Sequence, residues 1–125
     1  MARWPGRRAW TWAAIILAAL AAVAALLPPR GTPGVEVADL GETRALLLHF
    51  AGYAALALCA TLAQASPRAV LTGLGLVAYA TVLELLQGVV SERSLQLQDL
   101  VANATGVVVG LLLGYLIARG SRAPR

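Results

Sequence analysis

Residues 69–90, AVLTGLGLVAYATVLELLQGVV, form an apolar run of twenty-two residues in which Glu84 is the sole charge. A helix rising ~1.5 Å per residue needs ~20 such residues to cross ~30 Å of hydrocarbon, so the stretch reads as a transmembrane helix. A carboxylate placed there costs roughly 2 to 4 kcal/mol on insertion scales. Glu84 is therefore expected to face other polar groups or water rather than lipid.

Three further stretches of the same kind flank it: residues 9–27, 45–64 and 100–118. Hydrophobic residues make up 59% of the 125 and charged residues 13%, whereas soluble domains hold about 45–50% apolar and about 25% charged residues. The membrane class alone fits. The expected fold is all-α, a multi-pass bundle of four transmembrane helices. Residues 28–44, with Pro28, Pro29, Pro33, Gly31, Gly34 and Gly41, are expected to be an irregular outer loop, because proline and glycine at that density stop a helix. The turn around Ser66, Pro67 and Arg68 is short, which makes the second and third spans antiparallel neighbours.

Arginine placement sets the expected orientation. Arg3, Arg7 and Arg8 precede the first span, Arg68 lies between the second and third, and Arg119, Arg122 and Arg125 follow the fourth. Only Arg30, Arg44 and Arg93 fall on the other side, so the positive-inside rule puts both termini, residues 1–8 and 119–125, in the cytoplasm. The net charge of +4 is thus an orientation signal. Nucleic acid is excluded as a partner because these arginines are few, dispersed and juxtamembrane, without aromatic interleaving. Residues 9–27 share features of a cleavable signal, with Ala22-Val23-Ala24 as a small-x-small site, but the apolar run exceeds the usual ~7–15 residues. An uncut anchor is expected. Cys59 stands alone in mid-span and needs no role beyond filling space.

Six polar side chains mark the remaining three spans: His49, Tyr53, Glu84, Gln87, Asp99 and Asn103. At ~100° per residue, Asp99, Asn103, Gly106, Gly110 and Gly114 share an arc of about 80°. That face is polar at one end and glycine-lined below, and the doubled small-xxx-small spacing lets a neighbouring helix approach closely. The same counting puts His49, Gly52, Tyr53, Leu56 and Ala60 on one side of the second span, and Gly73, Ala80, Glu84 and Gln87 on one side of the third. All six polar groups then lie toward the outer surface.

Each has a plain structural role beside a functional one. Asp99 just before a helix would satisfy orphan amide donors as a cap. Asn103 could bridge helices by hydrogen bonding. A Glu84–His49 pair could be a static ion pair, a proton relay or an acid–base couple, and His49, Glu84 and Asp99 are the candidate catalytic groups. The same three are a conceivable ligand set for Zn²⁺ or Mn²⁺. With no HExxH motif and no second histidine, neither a metal nor another cofactor is expected. Arg93, beside Ser94, is suited to gripping a phosphate or carboxylate. No GxSxG elbow supports Ser91 or Ser94 as nucleophile.

The pattern His49-Phe50-x-x-Tyr53, Glu84-x-x-Gln87, Arg93-Ser94 and Asp99-x-x-x-Asn103-x-x-Gly106 resembles the VanZ-like family of small bacterial membrane proteins. The resemblance covers residues 45–118 and implies a three-helix membrane core in the bacterial cytoplasmic membrane, in a family whose founding member is associated with resistance to teicoplanin. Members commonly carry an Asp-Lys pair shortly before the histidine, where this chain has Ala45 and Leu46. The expected function is binding of an amphiphilic cell-envelope ligand, a lipid-linked precursor or a lipoglycopeptide, by His49, Tyr53, Glu84, Gln87, Arg93, Asp99 and Asn103. Alternatives are a membrane-embedded enzyme acting on a lipid-linked substrate and a small transport or assembly component. In the last, the Gly106, Gly110 and Gly114 face would mediate homo-oligomer contacts.

Overall fold

The structure is a computed structural model and describes residues 5–27, 38–90 and 96–121. Four helices make it up: α1 (Arg7–Leu26), α2 (Ala38–Ala63), α3 (Ala69–Val90) and α4 (Leu97–Gly120). Each is long and apolar enough to cross a membrane. Lipid supplies no partner for peptide groups, so apolar runs of this length resolve into helices that satisfy their backbone internally. Their outer faces are correspondingly greasy, with Trp12, Leu48, Val70, Val89 and Leu116 among the large exposed side chains.

Two boundaries differ from expectation. The outer loop expected over 28–44 is helical from Ala38 onward, while 28–37 lie outside the described residues. The prolines stop at Pro33, and the lone Gly41 costs a helix only ~1 kcal/mol relative to alanine, too little to break it. Helix α4 begins at Leu97 and not at residue 100, which places Asp99 inside its first turn. The N-cap is Gln96, without a side-chain cap bond. Of the two roles open to Asp99, capping thus falls away, and its side chain is buried.

The most extensive packing joins α2 to α4. A Cβ added at Gly106 would strike the Phe50 carbonyl oxygen, one at Gly110 the Ala54 carbonyl oxygen, and one at Gly114 would come within 2.8 Å of Thr61 Cβ. Contacts advance along both helices in the same direction, so α2 and α4 run parallel, backbone against backbone. The helix that the glycine stripe admits belongs to the same chain. An oligomer contact through that face would first require α2 to leave it.

Helix α3 runs antiparallel to both: Gly73 lies against Leu111, while Glu84, one turn and a half from the other end, meets His49. The short turn is held by Gln64. Its Nε2 donates to Ala60 O at 3.0 Å and to Thr72 Oγ1 at 2.8 Å, and its Oε1 accepts from the Arg68 amide at 3.0 Å. One side chain thereby ties the last turn of α2 to the first of α3. Helix α1 has no buried residue and packs on α2 and α3. The Tyr79 hydroxyl of α3 fastens it by donating to Ala18 O at 2.5 Å. Tyr53, Leu56, Ala57, Ala80 and Val107 form the core, against which Leu17 and Ala18 of α1 rest.

Candidate functional site

Three helices deliver the polar groups to one end of the bundle. His49 stands six residues into the apolar part of α2, which starts at Thr43. Glu84 is six residues from the end of α3 and Asn103 six residues into α4. At ~1.5 Å per residue Glu84 and Asn103 sit about 9 Å inside their helix ends, and His49 lies the same distance past Thr43. The common depth follows from the parallel register of α2 and α4 and the antiparallel course of α3. Glu84, Gln87, Asp99 and Asn103 are all buried, at 6%, 9%, 5% and 2% exposure.

His49 is the hub. Its Nδ1 lies 2.9 Å from Asn103 Oδ1 and 3.9 Å from Glu84 Oε1, and its Nε2 lies 3.8 Å from Asp99 Oδ2. An amide oxygen only accepts, so Nδ1–H is the donor in the short contact. Asn103 thereby orients the ring, with Nε2 directed toward Asp99. Carboxylates from two different helices flank the ring. Buried charges persist only when paired or hydrogen-bonded, and His49 joins the two acids. One ligand atom from each of His49, Glu84 and Asp99 falls within 4.8 Å of the others.

Beside the cluster is a cavity of about 380 Å³, within the ~300–1,000 Å³ range of small-molecule sites. His49, Glu84, Gln87 and Asn103 line its polar part, and Tyr53, Leu56 and Leu83 continue the wall. The remaining wall comes from α1, through Leu17, Leu20, Ala21, Ala24 and Ala25. Asp99 is not in the lining but adjoins His49, which is.

Of the expected site residues, the structure brings His49, Glu84, Asp99 and Asn103 into one cluster and sets Tyr53 and Gln87 beside the cavity. Arg93, together with Ser91 and Ser94, lies outside the described residues. Sequence reading missed α1 as a wall of the site. That helix carries no polar residue between Ala13 and Leu26, so nothing in its sequence marks a face. It also missed Gln64, whose signal was its position between a helix end and Pro67.

Compared with protein-family models, with curated proteins and with solved structures, the chain matches none.

Proposed function

We propose that this chain is a VanZ-like protein of the bacterial cytoplasmic membrane that binds an amphiphilic cell-envelope ligand, and that its cavity is the ligand site. The observation that carries the reading is the cavity's two-sided wall. Polar groups of three helices gather at one part, and aliphatic side chains of α1, α2 and α3 make the rest. A ligand with a polar head and an apolar tail matches both halves, whereas a wholly polar solute would leave the leucines wet. By the arginine bias both termini are cytoplasmic, and the cluster faces the extracytoplasmic side, where lipid-linked envelope precursors and lipoglycopeptide antibiotics are met.

Photo-reactive analogues of envelope lipids are expected to cross-link to the full-length protein in membranes. Labelling should fall at least about tenfold in Glu84→Gln and Asn103→Ala, as expected when buried polar recognition groups are left unpaired. Equal labelling of wild type and both variants would overturn the reading. A cytoplasm-dependent fluorescent reporter should light at either terminus, and a dark terminus would reverse the orientation.

A second reading has one observation in its favour. An imidazole flanked by two carboxylates is an arrangement that can accept and pass a proton, so a membrane enzyme acting on the same amphiphile fits the geometry. Lipid turnover by the purified protein, lost in Glu84→Gln, distinguishes it from binding alone.

A further inference from the structure

Among the described residues, His49, Glu84 and Asp99 place one donor atom each within 4.8 Å of the other two. We propose that these side chains bind a divalent first-row transition metal ion, with zinc the first candidate, at the polar end of the cavity.

Three features of the cluster support this. The first is the distance from His49 Nε2 to Asp99 Oδ2, 3.8 Å. Zinc bonds to nitrogen and carboxylate oxygen are about 2.0–2.2 Å, which spaces two such ligands at about 3.4 Å for a tetrahedral angle and about 4.2 Å at the straight-line limit. The observed value falls between them. It is too long for a direct hydrogen bond and the right size for an intervening cation.

The second is the tautomer. Asn103 Oδ1 accepts from Nδ1–H, so Nε2, which faces the Asp99 carboxylate oxygen, is the ring nitrogen through which His49 would bind a metal ion. Metal-binding histidines commonly have this arrangement, with the far N–H donated to a fixed acceptor that orients the ring and raises its basicity. A divalent ion set between Nε2 and the Asp99 carboxylate would satisfy both and match the charge of two carboxylates.

The third is the donor set and its enclosure. One imidazole and two carboxylates suit zinc or manganese. Asp99 and Glu84 come from different helices and both are buried, so the ligands are held by the bundle and not by a mobile chain. Three protein ligands leave a coordination position open, and the cavity lies on the side of His49, Glu84 and Asn103. A phosphate or carboxylate head group would complete the coordination there. In this the inference rests on the amphiphile reading, but metal and amphiphile are measured separately.

The sequence-based expectation against a metal rested on the lack of a second histidine, with Asp99 already counted beside His49 and Glu84; what the structure adds is that donor atoms of all three meet within 4.8 Å of one another.

The test uses the full-length protein in nanodiscs, stripped with a chelator and re-equilibrated with Zn²⁺ alone. Metal is quantified by mass spectrometry and thermal unfolding is recorded with and without zinc. About one zinc per chain and a zinc-dependent rise in Tm are expected. Both should be lost in His49→Ala and Asp99→Asn. In Asn103→Ala zinc affinity should weaken by about 10–100-fold, as for other second-layer partners. Leu112→Ala, on the exposed face of α4, should bind like the wild type. Folded wild-type protein that holds no zinc and shows no Tm response overturns the inference, as does unchanged binding in Asp99→Asn. If lipid cross-linking persists in that metal-free protein, the pocket reading stands alone; zinc binding without lipid cross-linking does the reverse.

Discussion

His49 has neighbours on both ring nitrogens, and this makes it the residue through which the site is most economically probed. Its Nδ1–H bond to Asn103 joins α2 to α4 across 54 residues of sequence. Interhelical hydrogen bonds of this kind contribute about 0.6 to 2 kcal/mol in membranes. Single His49→Ala and Asn103→Ala variants and the double variant form a cycle whose coupling energy should fall in that range, read from reversible unfolding in mild detergent. Additive effects would mean that the two side chains do not meet. The pairing of His49 with Glu84 was legible in the sequence, because a lone carboxylate and a lone imidazole in apolar spans have few alternatives. The face on which Asp99 lies was legible too, since at ~100° per residue it shares the arc of Asn103 and Gly106. Its choice between capping α4 and meeting His49 was not, because a carboxylate near a helix start reads as a cap until the helix is seen to begin at Leu97.

At the scale of the helices, the Gly106, Gly110 and Gly114 stripe sets how far the cluster can close. Its spacing announced a close helix approach, but the identity of the partner was beyond sequence, since α2, α3 and another copy of the chain all offer small residues. The structure assigns the face to α2, with Phe50 and Ala54 carbonyl oxygens in the way of any added carbon at Gly106 and Gly110. Backbone cannot swing aside as a flexible side chain does. Gly106→Ala should therefore destabilise by about 1–3 kcal/mol, the usual cost of overpacking, and Gly110→Leu by more. Gly75, which has open space around its Cβ position, is the matched control: Gly75→Ala should be neutral or stabilise by up to about 1 kcal/mol. Unfolding midpoints of the three variants check the contrast. If Gly106→Ala were as mild as Gly75→Ala, the tight α2–α4 contact would be refuted. A wedge at Gly110 should also pull Asn103 from His49, tying the helix contact to the site.

For the molecule as a whole, four apolar rods of similar length were readable from composition alone, and so was the antiparallel course imposed by the turn that Gln64 fastens. The cavity was not readable. It exists because α1 leans on α2 and α3 through Ala18 and Leu17, leaving space between its C-terminal turns and His49. Alanine and leucine all round that helix carry no mark of which face does so. A gap between an apolar helix and the polar groups of the other three is what the proposed ligand site requires. The most direct check is an experimental structure of the protein in nanodiscs that retain native lipids. The account predicts elongated density with its head against His49, Glu84, Gln87 and Asn103 and its tail along Leu17, Leu20 and Leu56. A structure in which α1 closes onto α2 and α3 with no space between them, or in which Glu84 faces the acyl chains apart from His49, would contradict it.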